Sequence, residues 1–278
     1  MPHTSVPTVT LNNGLEMPQL GFGVYKVSND DAATVVTHAI EAGYRSIDTA
    51  ALYGNEQGVG QAIAQTSVTR EDLFITSKLW PKDFTYEGAL RGYETSLEKL
   101  GLEKLDLYLL HWPAPATDSY LEAWRALTQL YAEGRVGAIG VSNFLPEHLA
   151  RLGEVSDIVP VVNQIELHPL FQNRASVAAN TARGIVTEAW SPLAQGAALS
   201  HPAVVEIADR LGVTSAQVIL HWHLQQGRVI IPKSQTPSRM ASNLDLFGFE
   251  LSETDLAVID SLDSAEGRVG PNPAEFNG

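Results

Sequence analysis

The sequence predicts an α/β protein, a (β/α)8 TIM barrel with an N-terminal β-hairpin and extra C-terminal helices. Three observations predict it: eight short apolar runs, helix-patterned segments between them, and polar residues that recur at the run ends with a nearly constant spacing. The length of 278 residues suits one barrel of roughly 250 residues, so residues 1–278 are expected to form a single domain.

The hairpin comes first: residues 8–11 and 16–17 read as short strands flanking the turn Asn12-Asn13-Gly14. The eight runs follow as QLGFGVY, RSIDTA, LFITSKLW, LDLYLLHW, VGAIGVSN, VVNQIEL, IVTEAWS and RVIIPKS. Each is rich in Val, Ile, Leu or aromatic residues and lacks clean alternation, as expected of parallel strands covered on both faces. Between them, residues 30–42, 85–100, 118–132 and 146–153 carry helix spacing, the first three followed by Gly43, Gly101 and Gly134. Asp48 to Lys78 is 30 residues, Lys78 to His111 is 33 and His111 to Asn143 is 32, a period that fits one strand and one helix. Trp190 to Lys233 is 43 residues, and the excess coincides with two candidate helices, 201–211 and 215–225, one of them inserted. Residues 252–262 read as a further C-terminal helix, and GRVGPNPAEFNG as a mobile tail.

Composition narrows the function. Hydrophobic residues at 44% and charged residues at 18% describe a globular chain with material for a sizeable core. The net charge of −14 opposes binding to nucleic acid or to an anionic membrane over most of the surface. With no cysteine, disulfides, thiolate nucleophiles and Cys-ligated zinc are excluded. The N-terminus lacks a basic segment followed by an apolar run, and no apolar stretch reaches the ~18 residues of a membrane span. A soluble, cytoplasmic protein is the expectation.

In such barrels the reactive groups sit at the C-terminal ends of strands. Asp48 ends the second run with Tyr53 just beyond it, Lys78 lies in the third and His111 in the fourth. Alone, each would read as a structural ion pair or a packed ring. Together they resist that reading, because burying charges at one end of successive apolar strands costs several kcal/mol. Tyrosine, at a reference pKa of about 10, donates a proton poorly at neutral pH unless a cation such as Lys78 stabilises its anion. Asp48 would orient Lys78, and His111 would hydrogen-bond a carbonyl oxygen beside Tyr53.

A proton donor at a carbonyl needs a nucleophile, and none is evident. His221 and His223 look metal-like, but residues i and i+2 on a helix point apart, so they read as packing residues. Hydride from a nicotinamide is the natural candidate. Gly21-Phe22-Gly23 lacks the third glycine of a dinucleotide fingerprint, and Gly58-Val59-Gly60 lies in or near a helix. IPKSQTPSRMASN supplies another route: Lys233, Ser234 and Arg239 at a helix start would hold a phosphate, and two cations suggest the extra phosphate of NADP. Two other readings stay open on these residues: a Schiff-base lyase using Lys78, and a non-catalytic nicotinamide-binding module.

GYRSIDTAALYGNE, ITSKLW, LDLYLLHWP, IGVSNF, NQIELHP, WSPL and IPKS, in order along nearly the whole chain, resemble the aldo-keto reductase family. Within it the chain looks most like the bacterial 2,5-diketogluconate reductase subgroup. The resemblance implies a tetrad of Asp48, Tyr53, Lys78 and His111, with Tyr53 the general acid. It implies NADPH across the barrel mouth, with Ser142, Asn143 and Gln164 on the carboxamide, Trp190 stacked on the ring, and Ser191 and Leu193 along the pyrophosphate. Lys233, Ser234 and Arg239 would grip the 2′-phosphate, and Asn243 the adenine. Ser242 departs from the Glu that many relatives place before that Asn, which weakens an adenine contact. Tyr25, Leu52, Trp80 and Trp112 would line the substrate pocket, whereas Trp124 and His168 read as structural. A small-molecule carbonyl substrate and a monomer are the expected partner and state.

Overall fold

The computed structural model describes residues 6–278. Thr8–Thr10 (β1) and Glu16–Pro18 (β2) pair antiparallel as the hairpin. Eight parallel strands follow, each bonded to the next: Phe22–Gly23 (β3), Ser46–Asp48 (β4), Phe74–Leu79 (β5), Leu105–Leu110 (β6), Val136–Ser142 (β7), Val162–Glu166 (β8), Val186–Trp190 (β9) and Val229–Ile230 (β10). The sheet closes on itself. Leu20 bridges Ile230 in parallel, Gly21 N donates to Ile230 O at 2.8 Å, and Ile230 N donates to Gln19 O at 3.0 Å.

The helices are Asn29–Ala42 (α1), Glu56–Gln65 (α2), Tyr86–Leu100 (α3), Tyr120–Ala132 (α4), Pro146–Leu152 (α5), Arg174–Ala182 (α6), Pro202–Leu211 (α7), Ser215–Gln225 (α8), Pro237–Leu244 (α9) and Glu253–Asp260 (α10). Local chemistry sets their ends. Ser28 and Thr85 accept from the amides of Asp31 and Gly88, satisfying donors the first turn leaves open. Gly43 at φ 119° terminates α1, a conformation that L side chains resist. Both candidate helices between β9 and β10 form, which accounts for the long interval there.

Successive strand residues face opposite ways. Ile47, Ile75, Tyr108, Leu110, Ile139, Val141, Ile165 and Ile230 join the core beneath the helices. Phe74, Leu107, Leu109, Ala138, Val162 and Val229 fill the barrel interior, where Leu11 and Met17 of the hairpin meet them. Asn12 and Asn13 hold the hairpin there, donating to Pro160 O at 3.0 Å and Gly137 O at 3.2 Å. The hairpin is thus the floor of the barrel, and the polar residues gather at the other end.

The expectation of a mobile tail is corrected. Buried Glu166, at the end of β8, accepts from Val269 N at 2.6 Å and Gly270 N at 2.9 Å. Gly270 passes so close to Trp190 that a Cβ there would lie 2.3 Å from the indole. Asn277 Oδ1 accepts from Ala116 N at 2.9 Å, and Phe276 packs on Trp112 with centroids 4.5 Å apart. Bonds to a carboxylate far away in the chain hold a segment whose own composition favours disorder.

Candidate active site

The strand ends bring the four ionisable residues together. Asp48 closes β4, a 3-10 turn at Ala51–Tyr53 turns the phenol back over the mouth, Lys78 stands one residue before the end of β5, and His111 follows β6. Lys78 Nζ lies 2.5 Å from Asp48 Oδ1, 2.9 Å from Thr49 O and 3.4 Å from Tyr53 Oη. The ammonium is fully buried and Asp48 nearly so. The His111 ring stands edge-on to Tyr53 at 5.5 Å and to Trp80 at 5.2 Å.

Charges in this setting bias each proton. Burial opposes the charge on Lys78, but Asp48, Tyr53 and Glu188 together hold it above the usual lysine range. Burial, with the Lys78 charge added, pushes His111 well below its ordinary value, so its imidazole is neutral. For Tyr53 the expectation of an acidified phenol is corrected. The packing around its hydroxyl pushes it up to about 12, and Lys78 offsets only part of that rise. The ammonium is within reach of the phenol, yet dehydration outweighs it.

The residues expected to meet a cofactor form a second, adjoining set. Ser142 Oγ donates to Gln164 O at 2.9 Å, and Asn143 Nδ2 donates to His111 O and Ser142 Oγ, both at 3.0 Å. Asn143 Oδ1 accepts from Trp190 Nε1 at 2.8 Å, which pins the half-buried indole plane at the mouth. Gln164 is engaged differently from expectation. Its Nε2 donates to Asp48 Oδ2 and to Glu188 Oε2, each at 2.8 Å. Ser191 turns out of β9 at φ 49° with Leu193 after it, half-buried.

Beyond β10, Lys233 and Arg239 are exposed and make no ion pair among the described residues, while Ser234 Oγ accepts from Thr236 N at 3.1 Å at the entry to α9. Asn243 is buried in α9 beside half-buried Ser242. Tyr25 and Leu52 stand exposed on the rim, with the Tyr25 ring 5.0 Å from Tyr53. Trp80 and Trp112 face each other across Phe276 of the tail, a wall residue the sequence did not reveal.

The structural readings elsewhere are reproduced in part. Trp124 is fully buried, and His221 and His223 pack against Phe249 and Pro192 O. His168 is buried with its Nε2 3.0 Å from Glu166 Oε1. Among the described residues no group of three His, Asp or Glu side chains could hold a metal ion, and no helix is long and apolar enough to cross a membrane.

A closed barrel with ionisable groups from three strands at its C-terminal mouth is the architecture of a barrel enzyme. The chain belongs to the Aldo/keto reductase family, whose sequence profile matches residues 17–264. It is 49% identical over 275 residues to methylglyoxal reductase DkgA of Escherichia coli K12, covering 98% of this chain and 99% of that one. It is 50% identical over 277 residues to glyoxal reductase of Bacillus subtilis strain 168, covering 99% of both. Among solved structures, a mutant of Gox0644 in complex with NADPH superposes at a TM-score of 0.94 with 45% identity, covering 98% of this chain and 99% of that one.

Proposed function

We propose that the protein is an NADPH-dependent reductase that converts small dicarbonyls, ketoaldehydes and sugar-derived dicarbonyls such as 2,5-diketogluconate among them, to hydroxy-carbonyl products, with Tyr53 as the proton donor. The observation that carries it is Lys78 Nζ lying between Asp48 Oδ1 and Tyr53 Oη. The residues present fit the cofactor: a pinned indole face can stack on a planar ring, and Asn143, bonded to that indole and to Ser142 Oγ, brings amide and hydroxyl groups beside it. At the start of α9 stand two cations that make no ion pair among the described residues. Bound NADPH supplies the hydride.

The chain's own residues do the rest. His111, neutral and fixed edge-on between Tyr53 and Trp80, donates a hydrogen bond to the substrate oxygen and positions it. Tyr53 gives that oxygen its proton as negative charge develops there, and Lys78 stabilises the phenolate left behind. Asp48 keeps the ammonium charged and oriented. Trp80, Trp112 and Phe276 form apolar walls, with Tyr25 exposed at the rim, and these walls suit a small carbonyl compound. A Lys78 Schiff base is disfavoured, because an ammonium held charged by Asp48 is not a nucleophile.

Tyr53→Phe tests the assignment. It is expected to lower kcat for methylglyoxal by about 10²- to 10⁴-fold, while NADPH still quenches tryptophan fluorescence with nearly the same Kd. Unchanged kcat would overturn the role of Tyr53.

A further inference from the structure

Among the described residues, Glu188 is a second carboxyl, besides Asp48, that acts on Lys78, and the mechanism leaves it unused. It lies in the middle of β9, 1% exposed, within a run that otherwise reads as buried strand. Its Oε2 accepts from Gln164 Nε2 at 2.8 Å, and the same nitrogen donates to Asp48 Oδ2 at 2.8 Å. One amide group therefore bridges two buried carboxyls, and the second of them already holds Lys78. Its register partners on the flanking strands are Gln164 and Val229, neither titratable. The charged groups that act on it from across the barrel are Asp48 of β4 and Lys78 of β5.

We propose that Glu188 is a positioning residue for the proton-donating array: it holds Gln164 against Asp48, and its charge state sets how readily Tyr53 releases its proton. The proposal rests on the reductase reading above.

Only one ammonium serves two carboxyls here. With Asp48 paired to Lys78, an ionised Glu188 would have no cation of its own. Burial first, then the Asp48 charge, push Glu188 up to about 8, against the opposing effects of Gln164 and Lys78. Near neutral pH Glu188 is thus uncharged, and the pair around Tyr53 is balanced. Above that range it ionises. A second negative charge beside Lys78 then disfavours phenolate at Tyr53, so proton donation slows. Loss of the Glu188 carboxyl would also leave the Gln164 amide held by Asp48 alone.

The test compares kcat against pH for wild type and Glu188→Gln, from about pH 6 to about pH 10, with saturating NADPH and methylglyoxal. The substituted amide cannot ionise, yet its oxygen still accepts from Gln164. The alkaline fall in kcat is expected to move up by about one pH unit or more in the variant. Superimposed profiles would overturn the proposal while leaving the reductase reading intact. A wild type without NADPH turnover at any pH would instead sink that reading, and the proposal with it. If Glu188→Gln does not fold, infrared titration of the wild-type protein decides: a buried protonated carboxyl band that disappears around pH 8 supports the proposal, and no such band overturns it.

Discussion

At Glu188 a single side chain is expected to link stability to chemistry. A carboxyl raised from an unfolded value of about 4.3 to about 8 binds its proton more tightly in the folded state. Its contribution is therefore fully present below the unfolded value and is lost as pH rises toward 8. Glu188→Gln, which has no proton to lose, is expected to gain stability over wild type by on the order of 1 kcal/mol for each pH unit within that window. Urea unfolding at about pH 5 and about pH 7.5 measures it, and a difference independent of pH would refute it. Asp48 is legible in the sequence because a carboxylate inside an apolar run demands a partner. The same signal stands at Glu166 in NQIEL and Glu188 in VTEAW, yet no lysine at a matching strand end discloses what they serve. Besides His168 beside Glu166, their partners are amides of Gln164, Val269 and Gly270, groups that sequence spacing cannot reveal.

Among elements, the strands are legible throughout, α2 is legible only as a helix at or near Gly58-Val59-Gly60, and α6 is not legible. In α2, Gly58 and Gly60 argue against a helix by about 1 kcal/mol each. Packing decides instead: a Cβ on Gly58 would lie 2.4 Å from Asn29 O, and one on Gly60 2.4 Å from Leu100 O, so neighbouring α1 and α3 require glycine. In α6 only Ser176 and Asn180 are buried, leaving no apolar stripe to read. The start of α9 is legible because Lys233 and Arg239 stand out on an acidic chain. Neutralising both is expected to raise the Kd for NADPH by about 10- to 100-fold through lost charge-assisted bonds, with a much smaller change for NADH. Equal losses for both nucleotides would remove the 2′-phosphate assignment. The tail latch has its own titration. Burial opposes the Glu166 charge, but His168 and the amides of Val269 and Gly270 hold it below the usual carboxylate range. The latch therefore acts above about pH 4.3 and loosens as pH falls through the lower folded value. Glu166→Gln is expected to expose residues 268–278 to limited proteolysis at neutral pH, and unchanged cleavage would contradict it.

For the whole molecule, the two cores separate stability from chemistry. Leu11 and Met17 belong to the floor cluster, on the far side of the barrel from the tetrad. Met17 is fully buried, so Met17→Ala is expected to cost about 2–5 kcal/mol in urea unfolding. The kcat of the folded fraction should change by less than about twofold, since Met17 lies in the hairpin floor at the opposite end of the barrel from the reacting groups. A large loss of kcat would mean that the layers are coupled. Because the hairpin plugs one end, cofactor and substrate share a single doorway. Whichever molecule lies deeper must arrive first and leave last, so turnover has a built-in queue. The slow step can then be departure rather than reaction.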